Sequence, residues 1–425
     1  MIGGAGVSSA LARPARAVVD LDAVRHNARL MAGLASPAAL CAVVKADGYG
    51  HGAVQVARAA VAGGASWLGV AMVEEGIELR RAGIMTPVLL LSEPPLEAME
   101  EVVRSSLTPT VYSEEALFEL SRVARSSAAR RAGDAGAVRV HVKVDTGMHR
   151  VGADPEDVIG IVSKLAAMPE LHLEGLWTHL AAADLAGEAA RELTRSQLQA
   201  FERCRAELEG IGVRPEILHV ASSAGALAYP ESRYHMARCG IALYGYLPSP
   251  GLADLARLAP GDALVPAMRL EAEVSHVRRA RAGEGVSYGI DYRLPDDSVI
   301  ATVPLGYADG VPRALSRSGG EVLLAGERRP IAGVVTMDQF MVDCGPRSQV
   351  RRGDDVVLLG RQGDCEITAD DWAGILGTIS YEVLSRIGAR VPRVYRQGGE
   401  SSLALGQEPD PGGPGRRRGE SRMDE

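Results

Sequence analysis

The sequence predicts an α/β fold: a closed (β/α)8 barrel of the TIM type followed by a mainly β C-terminal domain. Three observations carry this. Between residues 40 and 243, eight short apolar runs alternate with segments of helical periodicity, the rhythm of parallel strands joined by crossover helices. After about Gly251 that rhythm stops, and short runs set off by Gly, Pro and Asp replace it, as antiparallel strands and turns do. No GxGxxG opens a helix, and the alternative, an open doubly wound sheet, would need only about five to seven strands.

The elements follow in order. Residues 1–14 read as a loose arm or edge strand. Residues 20–36 read as a helix, with Leu21, Val24, Asn27, Leu30 and Met31 at helical spacing. Strands are expected at 40–45, 67–72, 87–91, 107–112, 138–144, 172–178, 217–222 and 236–243. Helices are expected at 52–62, 73–82, 95–105, 113–131, 155–168, 191–210 and near 223–229. The β module reads as 265–281, 286–289, 298–305, 321–325, 329–336, 339–343 and 354–358, with helices at 368–375 and 379–387. The last stretch, rich in Gly, Pro, Ser and charge, reads as disordered. The expected domains are therefore an arm (1–14), a barrel (15–255), a β-rich domain (256–396) and a disordered tail (397–425).

Charge and cysteine usage exclude several classes. The net charge is −8, and the short basic piece Arg416–Arg418 is followed by acids, so no nucleic-acid surface is expected. Five cysteines are scattered without CxxC spacing, which suits a reducing compartment and offers no metal template. No apolar run reaches the ~18 residues of a membrane span. The N-terminus has no charged start and no sustained apolar core, so it does not read as a signal peptide. A cytoplasmic location is expected.

The stretch from Ala42 to Gly52, AVVKADGYGHG, organises the barrel. A buried apolar strand ends at Lys45, a glycine-rich turn follows, and a helical pattern begins. Reactive groups sit at such strand ends in α/β folds. Only three of the 46 basic residues are lysine: Lys45, Lys143 and Lys164. Arginine cannot lose its proton or form an imine, whereas a desolvated lysine can do both. Other strand ends offer Tyr49, Lys143, Arg150, His179, Ser222, Ser223, Arg238, Gly240 and Ile241. Ser223 reads either as a helix N-cap or, with the Gly240–Ile241 backbone, as part of a phosphate site. An imine-forming lysine with a phosphate pocket points to pyridoxal phosphate, although an aldolase uses both features without a cofactor.

The motifs AVVKADGYGHG, VDTGMHRVG, THLAAAD, RCGIALYG, VSYGIDY, PLGYADGVPR, TMDQFMVD and TISYEVLSRI run in order from residue 42 to residue 387. In this the chain resembles the alanine racemases, fold-type III pyridoxal-phosphate enzymes. The resemblance implies an imine at Lys45 and a second catalytic base at Tyr288, supplied by the partner subunit of a homodimer. Removing a proton from one face of the α-carbon and delivering one to the other is difficult for a single rigid base, so two are needed. By resemblance, His179 contacts that tyrosine and Arg238 the pyridine nitrogen. Tyr49, Ser223, Gly240, Ile241 and Tyr381 hold the phosphate. Arg150 contacts the phenolic oxygen and the substrate carboxylate, which the Met337 amide also binds. Lys143 is carbamylated in some relatives. Asp184, Tyr307, Arg313 and Tyr381 line the entrance.

Some positions depart from the family pattern. His149 stands where many relatives have glycine, Ser222 where Asn is common, Val334 where Arg is frequent and Thr336 where Cys is common. Val334 and Thr336 bear on how strictly alanine is preferred. The resemblance therefore implies interconversion of L- and D-alanine for peptidoglycan. The alternatives are a broader serine or basic amino-acid racemase, a basic-amino-acid decarboxylase, whose usual Cys-Asp pair is not evident, and a non-catalytic cofactor-binding barrel. That last class lacks the β domain.

Overall fold

The computed structural model describes residues 13–126, 136–253, 258 and 262–403. Most of the expected arm, the end of the expected helix 113–131 and the tail from residue 404 lie outside the described residues.

The chain begins with β1 (Ala15–Asp20). Eight short parallel strands form the barrel: β2 (Ala39–Val43), β3 (Ala65–Val70), β4 (Val88–Leu90), β5 (Thr110–Val111), β6 (Val138–Lys143), β7 (Leu171–Trp177), β8 (Ile217–His219) and β9 (Met236–Cys239). They pair as β4-β3-β2-β9 and β5-β6-β7-β8. Parallel bridges Leu89–Thr108 and Ser222–Arg238 join the two halves and close the ring. Each strand ends before the apolar run that encodes it does, because the run's carboxyl end leaves the ladder and becomes loop. Those loops carry the candidate site, as in barrels generally.

β1 precedes the barrel strands in the chain. It does not belong to the barrel. It pairs antiparallel with β10 (Met268–Glu273) and parallel with β20 (Arg393–Gln397). Its run Ala17-Val18-Val19 is buried, but no turn separates it from the helix Leu21–Ala35, so it reads as that helix's flank. Asp20 makes the junction by accepting the Ala23 amide at 2.9 Å, an N-cap. Inside the helix, Asn27 is fully buried and satisfied: its Nδ2 donates to the carbonyls of Leu243 and Val265, and its Oδ1 accepts the Val265 amide. It ties the barrel to the segment that leads into the β domain.

The main sheet of the β domain runs, in spatial order, through His276–Ala280 (β11), Ser298–Val303 (β14), Phe340–Asp343 (β17), Glu327–Ala332 (β16), Glu321–Leu324 (β15), Asp355–Gln362 (β18), β10, β1, β20 and Glu400–Leu403 (β21). The expected strand 265–281 is two strands, β10 and β11 (His276–Ala280). The expected 286–289 is a small hairpin, β12 (Gly285–Val286) with β13 (Tyr292–Arg293). β21 (Glu400–Leu403) pairs with β20, so order extends into residues read as tail; a four-residue strand is lost in that tract's average composition. Thr368 and Asp371 form a capping box on the helix Ala369–Leu376. One hydrophobic cluster runs from the β2–β4 half of the barrel into the β domain, and a second fills the β5–β8 half.

Candidate active site

Lys45 leaves β2 into a turn of unusual hand. Ala46, Asp47, Gly48, Tyr49 and Gly50 all have positive φ, from 51° to 80°. The three L-residues among them each pay ~1–2 kcal/mol for this conformation, so contacts must hold it. Within the turn, Gly48 N–H donates to Val44 O and Gly52 N–H to Asp47 O, both at 2.8 Å. Asp47 Oδ1 accepts the Ala53 amide at 2.9 Å. From the first turn of the helix Val73–Arg81 that follows β3, Glu75 accepts the Ala46 amide at 2.6 Å and, through its other oxygen, the amides of Ala71 and Met72. From the β domain, Arg393 donates twice to Gly50 O. Gly50 is required by space as well as by φ: a Cβ there would lie 2.5 Å from Leu384 O.

The turn faces a cavity of about 810 Å³ at the barrel mouth. Its wall brings together Lys45, Tyr49, Arg150, His179, Asp184, Ser223, Arg238, Gly240, Ile241 and Tyr381, all singled out from the sequence. Met148, Trp177 and Ile379 line it too and were not expected. Trp177 lies two residues before His179, immediately ahead of the THLAAAD stretch, which was a usable signal. Tyr49 packs against Tyr244 and Tyr381, with ring centroids 4.7 and 6.0 Å away. Gly240 makes room for Tyr49, whose hydroxyl would lie 2.3 Å from a Cβ there, and its amide donates to Ser223 Oγ at 2.9 Å. Lys143 lies beneath the wall, its Nζ 4.4 Å from the centre of the Trp177 ring. The Arg238 guanidinium also packs on that ring at 4.5 Å.

The electrostatics are cationic. Burial lowers the Lys45 pKa and Arg150 lowers it further, with Glu75 opposing. Burial, Arg238 and Arg150 bring Lys143 down to about 7. Burial and Arg238 hold His179 well below its usual value, so it is neutral. Arg238 is buried, yet burial lowers it only to about 10. Its Nη2 donates to Thr178 O at 2.8 Å and Val220 O at 3.1 Å, and lies 3.3 Å from His179 Nδ1. Its Nη1 reaches His219 O and His219 Nδ1, each at 2.9 Å. Its Nε–H has no acceptor among the described residues.

A second group of expected residues lies elsewhere. Tyr288, Met337, Tyr307 and Arg313 are exposed on the β domain and do not line this cavity. Tyr288 sits at the tip of the β12–β13 hairpin with 74% of its surface exposed. Ser287 Oγ donates to Val334 O at 2.8 Å, Tyr307 N–H to Thr336 O at 3.0 Å and Ala308 N–H to Met337 O at 3.1 Å. These bonds join the Tyr288 hairpin and the Tyr307 turn to the segment that ends at Met337. Asp309 fixes the Tyr307 turn: it accepts the Gly306 amide and a bidentate pair of bonds from Arg13. Of the departures, Val334 is buried and Thr336 turns its hydroxyl onto Gln339 O. His149 has φ 53°, the region where glycine is at ease.

Residues 19–248 match the family model described as alanine racemase, N-terminal domain, and residues 267–395 match alanine racemase, C-terminal domain. An alanine racemase of Symbiobacterium thermophilum is 46% identical over 390 residues, covering 92% of this chain and 98% of that protein. Among solved structures, an alanine racemase of Bacillus anthracis with bound L-Ala-P superposes with a TM-score of 0.84 at 35% identity, over 93% of this chain and 98% of that one. A histidine racemase from Leuconostoc mesenteroides superposes with a TM-score of 0.80 at 27% identity, over 92% of this chain and all of the other. With both domains matched and identity this high over nearly its full length, the chain belongs to the alanine racemase family.

Proposed function

We propose that the protein is a cytoplasmic, pyridoxal-phosphate-dependent alanine racemase, active as a homodimer and supplying D-alanine for peptidoglycan. The observation that carries the reading is a desolvated Lys45 amine in a cavity walled by arginine and aromatic side chains. The cavity suits the cofactor. Lys45, Arg150 and Arg238 line it, with Lys143 behind the wall at Trp177, against the carboxylates of Asp184 and Glu382, so an anion is favoured. Tyr49, Ser223, Gly240, Ile241 and Tyr381 cluster where a phosphate would be held. The unpartnered Nε–H of Arg238 is the donor left for a ring nitrogen. When bound, the cofactor would supply an aldehyde for amines and an electron sink for the α-carbon.

The chain's own groups then divide the work. Lys45 Nζ holds the cofactor and moves the α-proton on one face. Tyr288 Oη, reaching in from a partner subunit, moves it on the other. Arg150 and the Met337 amide orient the carboxylate. An arginine at the ring nitrogen cannot give that nitrogen a proton easily, which keeps the sink weak and disfavours transamination. The exposed Tyr288, Tyr307 and Met337 belong to the face a second subunit would cover. All five cysteines are free and four are buried, in keeping with a reducing compartment. Asp184, Tyr307 and Arg313 are assigned to the entrance.

The test is absorbance at the visible edge of the ultraviolet before and after borohydride. The band should be present and reducible in the wild type and missing from Lys45→Ala. The likeness to a histidine racemase favours a second reading, a broader substrate range on the same machinery. Racemisation of alanine, serine, lysine, arginine and histidine, measured side by side, separates the two.

A further inference from the structure

Behind Arg238 the barrel interior holds a row of ionisable side chains that have no role in the reading above. Arg238 Nη1 meets Nδ1 of His219 at 2.9 Å. Nε2 of His219 meets Nδ1 of His141 at 2.8 Å. Nε2 of His141 meets Oε2 of Glu174 at 3.2 Å, and the other carboxylate oxygen accepts from Arg139. The four inner residues come from β9, β8, β6 and β7, and all are buried. The site is built for them. A Cβ on Gly175 would lie 2.4 Å from the His141 ring, and Trp177 stacks on His219 at 5.4 Å with the planes 13° apart.

Proton accounting allows one arrangement. A guanidinium only donates, so His219 Nδ1 must accept. Its single proton is then on Nε2 and is donated to His141 Nδ1. His141 in turn carries its proton on Nε2 and donates it to Glu174. A second proton on either ring would set a donor against a donor. Burial lowers the pKa of both rings and Arg238 adds to this, while Glu174 opposes it at His141 without reversing it, which agrees with two neutral imidazoles.

We infer that Glu174, His141 and His219 are positioning residues for Arg238. Arg238, which only donates, and the Glu174 carboxylate, which only accepts, hold every hydrogen bond in the row to one direction from its two ends, so that a lone pair on His219 faces the guanidinium and fixes its plane at the cofactor ring. This rests on the proposed cofactor reading. A cluster that merely stabilised the barrel would affect melting alone. A positioning row also affects how the bound cofactor reacts, because a loosened Arg238 relaxes its hold on the ring nitrogen.

The test compares Glu174→Gln, which keeps an acceptor oxygen, with Glu174→Met, which keeps the length and removes it. Nitrogen NMR of 15N-histidine-labelled protein reads the tautomers directly. In the wild type both rings should be Nε2–H and neutral from about pH 6 to about pH 9. In Glu174→Met the His141 Nε2–H loses its acceptor and only Arg238 still sets the direction, so both rings should lose part of their Nε2–H population to the other tautomer. Transamination relative to racemisation should rise about tenfold, with Glu174→Gln close to wild type. Wild-type rings found charged or in the Nδ1–H form would overturn the inference, whether or not Glu174→Met folds. So would a folded Glu174→Met protein with unchanged tautomers and an unchanged reaction ratio. The tautomers can be read with or without cofactor, so a failure of the cofactor reading appears separately, as a missing reducible band.

Discussion

Glu75 Oε1 accepts the amide hydrogen of Ala46, the residue after Lys45, at 2.6 Å. A carboxylate that looks like an ordinary helix cap thereby holds the start of the left-handed turn that aims the amine. Its two oxygens accept three amides in all. A glutamine has one acceptor oxygen, so its NH2 must face an N–H at one end. Glu75→Gln should cost roughly 1–3 kcal/mol, the penalty for an unsatisfied buried amide, and should lower racemisation more than cofactor binding. Denaturant melts with parallel cofactor titrations check this. A variant with wild-type stability and rate would show that the turn holds without Glu75.

Lys143 is a second buried amine, brought down to about 7 by burial and by Arg238 and Arg150. Its folded pKa lies below its unfolded value, so the fold disfavours the charged form. The stability penalty is full below about pH 7 and is relieved as pH rises toward the ordinary lysine value of about 10.4. Near pH 8 the amine is mostly neutral and nucleophilic. It should therefore take up carbon dioxide, releasing a proton and leaving a carbamate whose negative charge faces Arg150. With 13C-bicarbonate, a carbamate signal should appear in the wild type and be lost in Lys143→Ala. Its persistence in that variant would place the adduct elsewhere.

The barrel was legible because a change of period is a strong signal, from alternating strand and helix to short strands alone. β1 was not, because three apolar residues against a helix N-cap have no punctuation, and only pairing with β10 and β20 makes them a strand. In the site, the glycines announced a turn after Lys45 but not its hand. Ala46, Asp47 and Tyr49 disfavour that hand, which comes from distant partners, Glu75 and Arg393. The row behind Arg238 had left a trace: His141 and Glu174 are polar residues inside apolar runs, next to Gly175. Tyr288 and Met337 came from family resemblance alone, since nothing local distinguishes an exposed tyrosine or methionine.

His149 offers a test of strain. Its φ is 53° and its side chain is 85% exposed, with Asp145 at 3.9 Å. An exposed contact of that length contributes little. Glycine relieves ~1–2 kcal/mol of left-handed strain and adds about 0.5–1 kcal/mol of unfolded-chain entropy. His149→Gly should be neutral or about 1 kcal/mol more stable in denaturant melts. Destabilisation beyond about 1 kcal/mol would mean that the imidazole makes a contact of consequence in the assembled protein.

Lys45 lines the cavity while Tyr288 stands exposed on the β domain, and the proposed function takes the two bases of one site from different subunits. This predicts complementation between dead proteins. Lys45→Ala lacks one base in both sites of its dimer, and Tyr288→Phe lacks the other. In a mixed dimer one site inherits both lesions, while the other receives an intact lysine from one chain and an intact tyrosine from its partner. Random exchange makes half the dimers mixed, each with one good site, so activity should recover to about a quarter of the wild type in a symmetric dimer. The variants are purified separately, mixed, briefly dissociated and reassociated, and assayed for alanine racemisation. Recovery requires subunit exchange, so mixing without dissociation should give less. If exchanged dimers, verified by a tag on one chain, stay as inactive as their parents, Tyr288 does not act across the interface.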